Sequence, residues 1–398
     1  MKIIAVLESS VTSGGAFNQG LNAIMQMSRI CKDRFEFEVF AAHAESIEFL
    51  EKLGIGCVMF GNSEPSLLDK IFHRAKLLSW WQARQRPKSI FASLELKLIE
   101  HGADLVYFLT HSEGPETLQQ LNYITTAFDL CHRDTPEFPE VRNFGQFQNR
   151  ERYFNNSLTP AILVITESEH LSDLLQQRYG VDHERCLAIP TAPAHFLQDE
   201  FSVKTSLVLN EYELQEGYFF YPAQFWSHKN HVRILEALVL LRETGVNLRV
   251  VFVGADKGNR SYIENLVVSN SLIEHVKILG FVPAEHMRAL YEGCTAVVMP
   301  TYFGPTNLPP LEAWMIGKPL IYSANLKEHA GEAAIYVNPD SATELADAMK
   351  TCTDPKIATS LVKLGVMRLN QIDQLRERSE TELINRLLQY SARRRCWA

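Results

Sequence analysis

Short apolar runs alternate with segments of helical period almost from one end of the chain to the other. Runs at residues 3–7, 35–41, 57–60, 105–109, 123–128, 162–166 and 186–189 have the length and composition of strands buried on both faces. A more polar stretch, residues 194–217, interrupts the series and reads as a linker. The alternation then restarts with runs at 218–221, 248–253, 276–279, 296–299, 320–322 and 335–337. Strands alternating with helices predict parallel sheets covered on both sides, that is, an α/β protein with two doubly wound domains in tandem. The expected division is 1–205, 206–370, and a terminal helix over 371–398 that packs back towards the first domain.

A length of 398 residues suits two such domains better than one. A net charge of −8 argues against broad nucleic-acid binding. The seven cysteines are scattered and form no C-x-x-C pair, so they read as buried thiols of a reducing, cytoplasmic compartment. No apolar run approaches the ~18 residues needed to span a bilayer. The segment from Asp69 to Lys88 interleaves basic residues with Trp80, Trp81 and other apolar side chains. It suits either peripheral contact with the anionic inner face of a membrane or a solvated surface helix.

Candidate chemistry gathers where apolar runs end. Val298 to Ala313 passes from an apolar run through a Gly/Pro/Thr/Asn turn into a helix carrying Glu312. A strand end facing a helix start presents free backbone N–H groups and a positive dipole end, which suits an anion. Pro309 and Pro310 remove two donors, leaving the amides of Thr306, Asn307, Leu308 and Leu311 for that task. An ordinary strand–turn–helix of the scaffold has the same pattern. Lys229, at a helix start in the same domain, is a point charge suited to a diphosphate. Gly254 ends another strand and offers close approach to a nucleotide. In the first half, Gly14 and Gly15 open a helix without forming G-x-G-x-x-G, so a nicotinamide-type site is not supported. The loop from Asp129 to Glu140 is dense in charged residues; Asp129 and His132 could position a sugar hydroxyl, or serve only as structural hydrogen-bonders. There is no D-x-D and no metal-ligand spacing, so neither metal nor cofactor is expected.

Taken together, Phe225-Trp226-Ser227-His228-Lys229-Asn230-His231, Val251 to Gly254, Leu279 to Val282, and Leu308 to Ala313 followed by Gly317-Lys318-Pro319 resemble the family 4 retaining glycosyltransferases. The resemblance is strongest from Tyr218 to Leu345 and implies the GT-B fold, two Rossmann-like domains. It implies a hexosyl transferase, with mannose the leaning, acting between a nucleotide-diphosphate sugar and a glycan or lipid-linked acceptor of bacterial surface polysaccharide. It also implies that Glu312 binds ribose hydroxyls and Lys229 the diphosphate, with Gly14 and Gly15 as the first-domain loop beside phosphate and sugar. Two slots depart from the pattern: Gly304 stands where the first glutamate of E-x7-E falls, and Gln224 where an arginine usually precedes the lysine. A binding-only or partner-dependent homologue is therefore the alternative.

Overall fold

A computed structural model of the chain describes residues 1–60, 94–197, 203–304 and 307–397. The segment from Asp69 to Lys88 and residue Thr306 lie outside the described residues. The chain divides into two compact units, one of Met1–Phe128, Asn149–Ile189 and Ser379–Ala398, the other of Asp129–Gln148 and Pro190–Arg378.

The first unit holds seven parallel strands in the order β3-β2-β1-β4-β5-β6-β7. They are β1 (Lys2–Leu7), β2 (Glu36–Ala41), β3 (Cys57–Met59), β4 (Leu105–Phe108), β5 (Asn122–Thr126), β6 (Leu163–Thr166) and β7 (Cys186–Ala188). The second unit holds six, in the order β10-β9-β8-β11-β12-β13. These are β8 (Tyr218–Pro222), β9 (Val250–Val253), β10 (Val276–Gly280), β11 (Cys294–Met299), β12 (Leu320–Ser323) and β13 (Ile335–Val337). Every strand expected from the apolar runs forms, within a residue or two of its expected ends at most positions.

The apolar runs are continuous because the strands are covered on both faces. Phe219, Phe220, Tyr221, Phe252, Val297 and Val298 are all 0% exposed, and each such aromatic or aliphatic side chain contributes about 1.5–3 kcal/mol on burial. In each sheet the strand order reverses once, between β1 and β4 and between β8 and β11. At such a reversal the loops leaving the two strands diverge and open a crevice at their C-terminal ends. In the second unit, those are the loops carrying Lys229 and Asn307.

Three boundaries differ from the sequence expectation. The first break falls between Ile189 and Pro190 rather than at 205, and the polar stretch 194–217 contains the helix Thr205–Glu211. The terminal helix spans Pro355–Arg394, so the expected division at 370 cuts through it, and only its residues from Ser379 count with the first unit. There Leu383 and Leu387 enter the core, Glu380 accepts from Gln26 Nε2 at 3.0 Å, and Tyr390 donates to the Asp104 carbonyl at 3.0 Å. Finally, Asp129–Gln148, which leaves β5 of the first sheet, belongs to the second unit.

All seven cysteines are free; five are buried, Cys57 is partly buried and Cys396 is exposed, so the expectation of buried thiols fails at those two. No helix among the described residues is long and apolar enough to cross a membrane.

Candidate functional site

The site of the second unit starts from β8. After Pro222 the chain makes a short helical turn, Ser227–Lys229, and Asn230 adopts a left-handed conformation (φ 58°, ψ 37°) before the helix His231–Glu243. Asparagine tolerates that conformation better than most residues. Its side chain pins the turn by donating to the carbonyls of Pro300 and Pro339 at 2.9 and 2.8 Å. The Tyr221 hydroxyl donates to the Lys229 carbonyl at 2.7 Å. The turn is therefore fixed on both sides of Lys229.

From β11 the chain runs through Pro300 to Gly304 and enters the helix Leu308–Met315, with Asn307 as the residue before its first turn. Asn307 makes no side-chain cap to its own helix. Its Oδ1 instead accepts from Lys229 Nζ at 2.9 Å, and its Nδ2 donates to the Tyr322 hydroxyl at 3.0 Å. The lysine and the helix start, expected separately as anion-binding features, are thus joined across the β8/β11 crevice. Burial pushes the Lys229 ammonium down to about 8, opposed by the charges of Asp129, Cys131 and Glu140. A cation so weakly solvated gains strongly from a new anionic partner.

Gly304 has φ +110°, and a Cβ there would lie 2.7 Å from Asn307 Oδ1. A side chain at this position would be strained and would strike the carboxamide that holds Lys229. The departure at Gly304 is therefore built into the local backbone.

The Asp129–Gln148 segment supplies the remaining charges. Asp129 accepts from the Cys131 amide at 2.9 Å, opening the short helix Cys131–Asp134. Its carboxylate lies close enough to favour the charged form of Lys229. Glu140 accepts from the His228 amide at 2.8 Å and also from the His228 ring through Nδ1. Burial raises the Glu140 carboxyl, but the hydrogen bonds from His228 outweigh it and leave the group below its ordinary range. Burial, with Lys229 nearby, pushes His228 down to about 4. The pair is an ionised carboxylate against a neutral imidazole. The His228 ring stacks on Phe303 (3.9 Å between centroids, 15° between planes), with Phe138 edge-on to both rings. Phe138, Glu140 and this stack explain why a segment leaving the first sheet joins the second unit.

Other expected residues sit differently. His132 is 0% exposed and edge-on to Phe147, a packing position rather than one open to a substrate. Gly254 does provide close approach, but to protein: a Cβ there would lie 2.3 Å from the Ala223 carbonyl oxygen. Gln224 accepts from the Trp226 indole N–H at 3.0 Å. Leu308 is buried, as is Glu312, whose carboxylate accepts from the Tyr291 hydroxyl and is raised by burial to about 7. In the first unit, Gly14 (φ 63°) precedes the helix Gly15–Cys31, and the space around a Cβ on Gly15 is open. His228 and Glu140 are not marked in the sequence: a glutamate in a loop and a histidine beside a lysine carry no local sign that they pair.

A sheet reversal lined by a half-buried lysine and a helix start suits an anionic ligand, and comparison with known proteins shows what the chain resembles. Residues 210–356 match the family described as glycosyl transferases group 1. It is similar to O-antigen chain mannosyltransferase B of Escherichia coli, 26% identical over 251 residues, 60% of this chain and 62% of that protein. It is also similar to O-antigen chain mannosyltransferase RfbU of Salmonella typhimurium, 27% identical over 189 residues, 47% of this chain and 50% of that protein. The chain thus spans less than two thirds of these relatives in each match. Among solved structures, Anabaena HepE in complex with UDP and glucose superposes with TM-score 0.72 at 17% identity, over 96% of this chain and 99% of that one. WaaG, a glycosyltransferase involved in lipopolysaccharide biosynthesis, gives TM-score 0.65 at 14% identity over 96% and 98%. At those identities the likeness is one of fold, and the fold is GT-B.

Proposed function

We propose that this protein transfers a hexose from a nucleotide-diphosphate sugar to a glycan or lipid-linked acceptor of bacterial surface polysaccharide, with mannose the first sugar to test. The observation that carries this reading is the Lys229–Asn307 hydrogen bond at the start of the helix Leu308–Met315. In the proposed reaction the bond from the anomeric carbon to the phosphate oxygen breaks, and one to the acceptor oxygen forms on the same face. The acceptor's proton passes to the departing diphosphate, so no strong protein base is required. Lys229 and the amides of Asn307 and Leu308 stabilise the leaving charge, a task that a preformed cation in a dry site performs well. Retention and independence from metal belong to the same reading. Asp129 acts through the charge of Lys229, and His132 serves to position the segment that carries Asp129 and Glu140.

Glu312 is proposed to hold the ribose. Its carboxylate, raised by burial to about 7, gains from hydroxyl donors what it lacks in water. The glycine at Gly304 favours a second reading, a homologue that binds nucleotide sugars without turning them over. Donor hydrolysis and transfer assays on wild type and Lys229→Ala separate the two. Turnover abolished in the variant supports the transferase, whereas binding without turnover of any donor and acceptor supports the second reading.

A further inference from the structure

The Glu140–His228 pair is the one buried acid–imidazole dyad at the β8/β11 crevice among the described residues, and the reaction above makes no use of it. Its geometry leaves little freedom. The His228 amide donates to Glu140 at 2.8 Å, and the His228 carbonyl accepts from the Tyr302 amide at 2.9 Å and the Thr301 hydroxyl at 3.2 Å. The ring is held by Phe303 on its face, by Phe138 at its edge, and by Glu140 at Nδ1. The His228 and Glu140 side chains are 10% and 7% exposed.

A carboxylate on Nδ1 selects the tautomer with its proton there and leaves the Nε2 lone pair as an acceptor. Among the described residues Nε2 has no hydrogen-bond partner. An acceptor one residue from Lys229 is mismatched to phosphate oxygens, which are themselves acceptors. It is matched to a hydroxyl. A ligand that gives its phosphates to Lys229 and a hydroxyl to His228 carries both groups close together, as a sugar diphosphate does.

Resting on the nucleotide-sugar reading, we propose that His228 Nε2 accepts a hydrogen bond from a hydroxyl of the donor hexose, and that Glu140 is the positioning residue that fixes its tautomer. The pair then distinguishes a nucleotide hexose from the bare nucleoside diphosphate.

The test compares binding of guanosine and uridine diphosphates with binding of their hexose conjugates. Two variants serve, His228→Phe, which keeps the ring stack, and the double variant Glu140→Gln/His228→Phe, which avoids a buried unpaired carboxylate. The expected result is a loss of about tenfold for the nucleotide hexose, with the nucleoside diphosphate changed by no more than about twofold. Equal losses for both ligands, or no loss, would overturn the proposal. Wild type that binds neither ligand would instead sink the nucleotide-sugar reading itself. Should the variants fail to fold, nitrogen NMR of wild-type His228 gives the answer. Nδ1 should carry the proton at neutral pH, and Nε2 should shift on adding nucleotide hexose but not nucleoside diphosphate. A proton on Nε2, or no shift, would contradict the proposal.

Discussion

Lys229 Nζ donates to Oδ1 of Asn307 at 2.9 Å, so a cation following β8 is bound to the residue that opens the helix following β11. Neither partner is at an unusual place for its own segment. Their pairing across the sheet reversal brings a strand end and a helix start into one site. Burial holds the ammonium down at about 8, so the lysine is charged at pH 7 but its hold on the proton is weak just above it.

That weakness gives a pH prediction. An anion binds the protonated lysine, and binding raises its pKa. Affinity for a nucleoside diphosphate should change little from pH 7 to about 8 and should fall as pH rises through the free-protein value of about 8, by up to tenfold per unit. Titration calorimetry at pH 7, 8 and 9 checks this. Affinity unchanged to pH 9 would mean that Lys229 does not carry the phosphate.

Restoring the carboxylate that the family pattern places at Gly304 should fail. Gly304→Glu puts a β-carbon into a backbone with φ +110° and against Asn307 Oδ1 at 2.7 Å. The expected cost is about 1–3 kcal/mol of stability, with loss rather than gain of donor turnover. Denaturant unfolding and a transfer assay decide it; a variant as stable as wild type and more active would show that the turn is not built around the glycine.

His231 lies 0% exposed among Phe225, Tyr221 and Phe252, stacked on Phe225 at 4.6 Å. Burial pushes its pKa down to about 3 from an ordinary 6.5. Below 6.5 the unfolded chain takes up a proton that the folded chain refuses, so this residue costs stability as pH falls. His231→Phe should therefore gain about 2 kcal/mol more at pH 5 than at pH 7.5. Urea unfolding at the two values measures the difference, and an equal change at both would show that the imidazole is not held neutral.

The fold was legible because its signal is local. Parallel strands covered on both faces give unbroken apolar runs such as residues 218–221 and 296–299, and all thirteen strands follow from them. Lys229, Asn307 and Leu308 were legible as anion-binding candidates because strand ends and helix starts mark themselves in sequence. What joins them was not. The dyad of Glu140 and His228 spans 88 positions, and nothing near either residue announces the other. Asp129–Gln148 likewise joins the second unit through contacts between residues distant in sequence, so a division read along the chain misses it. Gly254 shows the converse: a strand-end glycine marks close approach, but only the structure shows that the neighbour is the backbone of Ala223.

The most direct test of the central claim is product formation from nucleotide hexoses, GDP- and UDP-linked, by wild type and Lys229→Ala, with the anomeric configuration of the product read by NMR. Wild type should turn over at least one donor with retention, and Lys229→Ala should lose about a hundredfold or more in turnover. No turnover of any donor by wild type, together with nucleoside diphosphate binding unchanged in Lys229→Ala, would contradict the account.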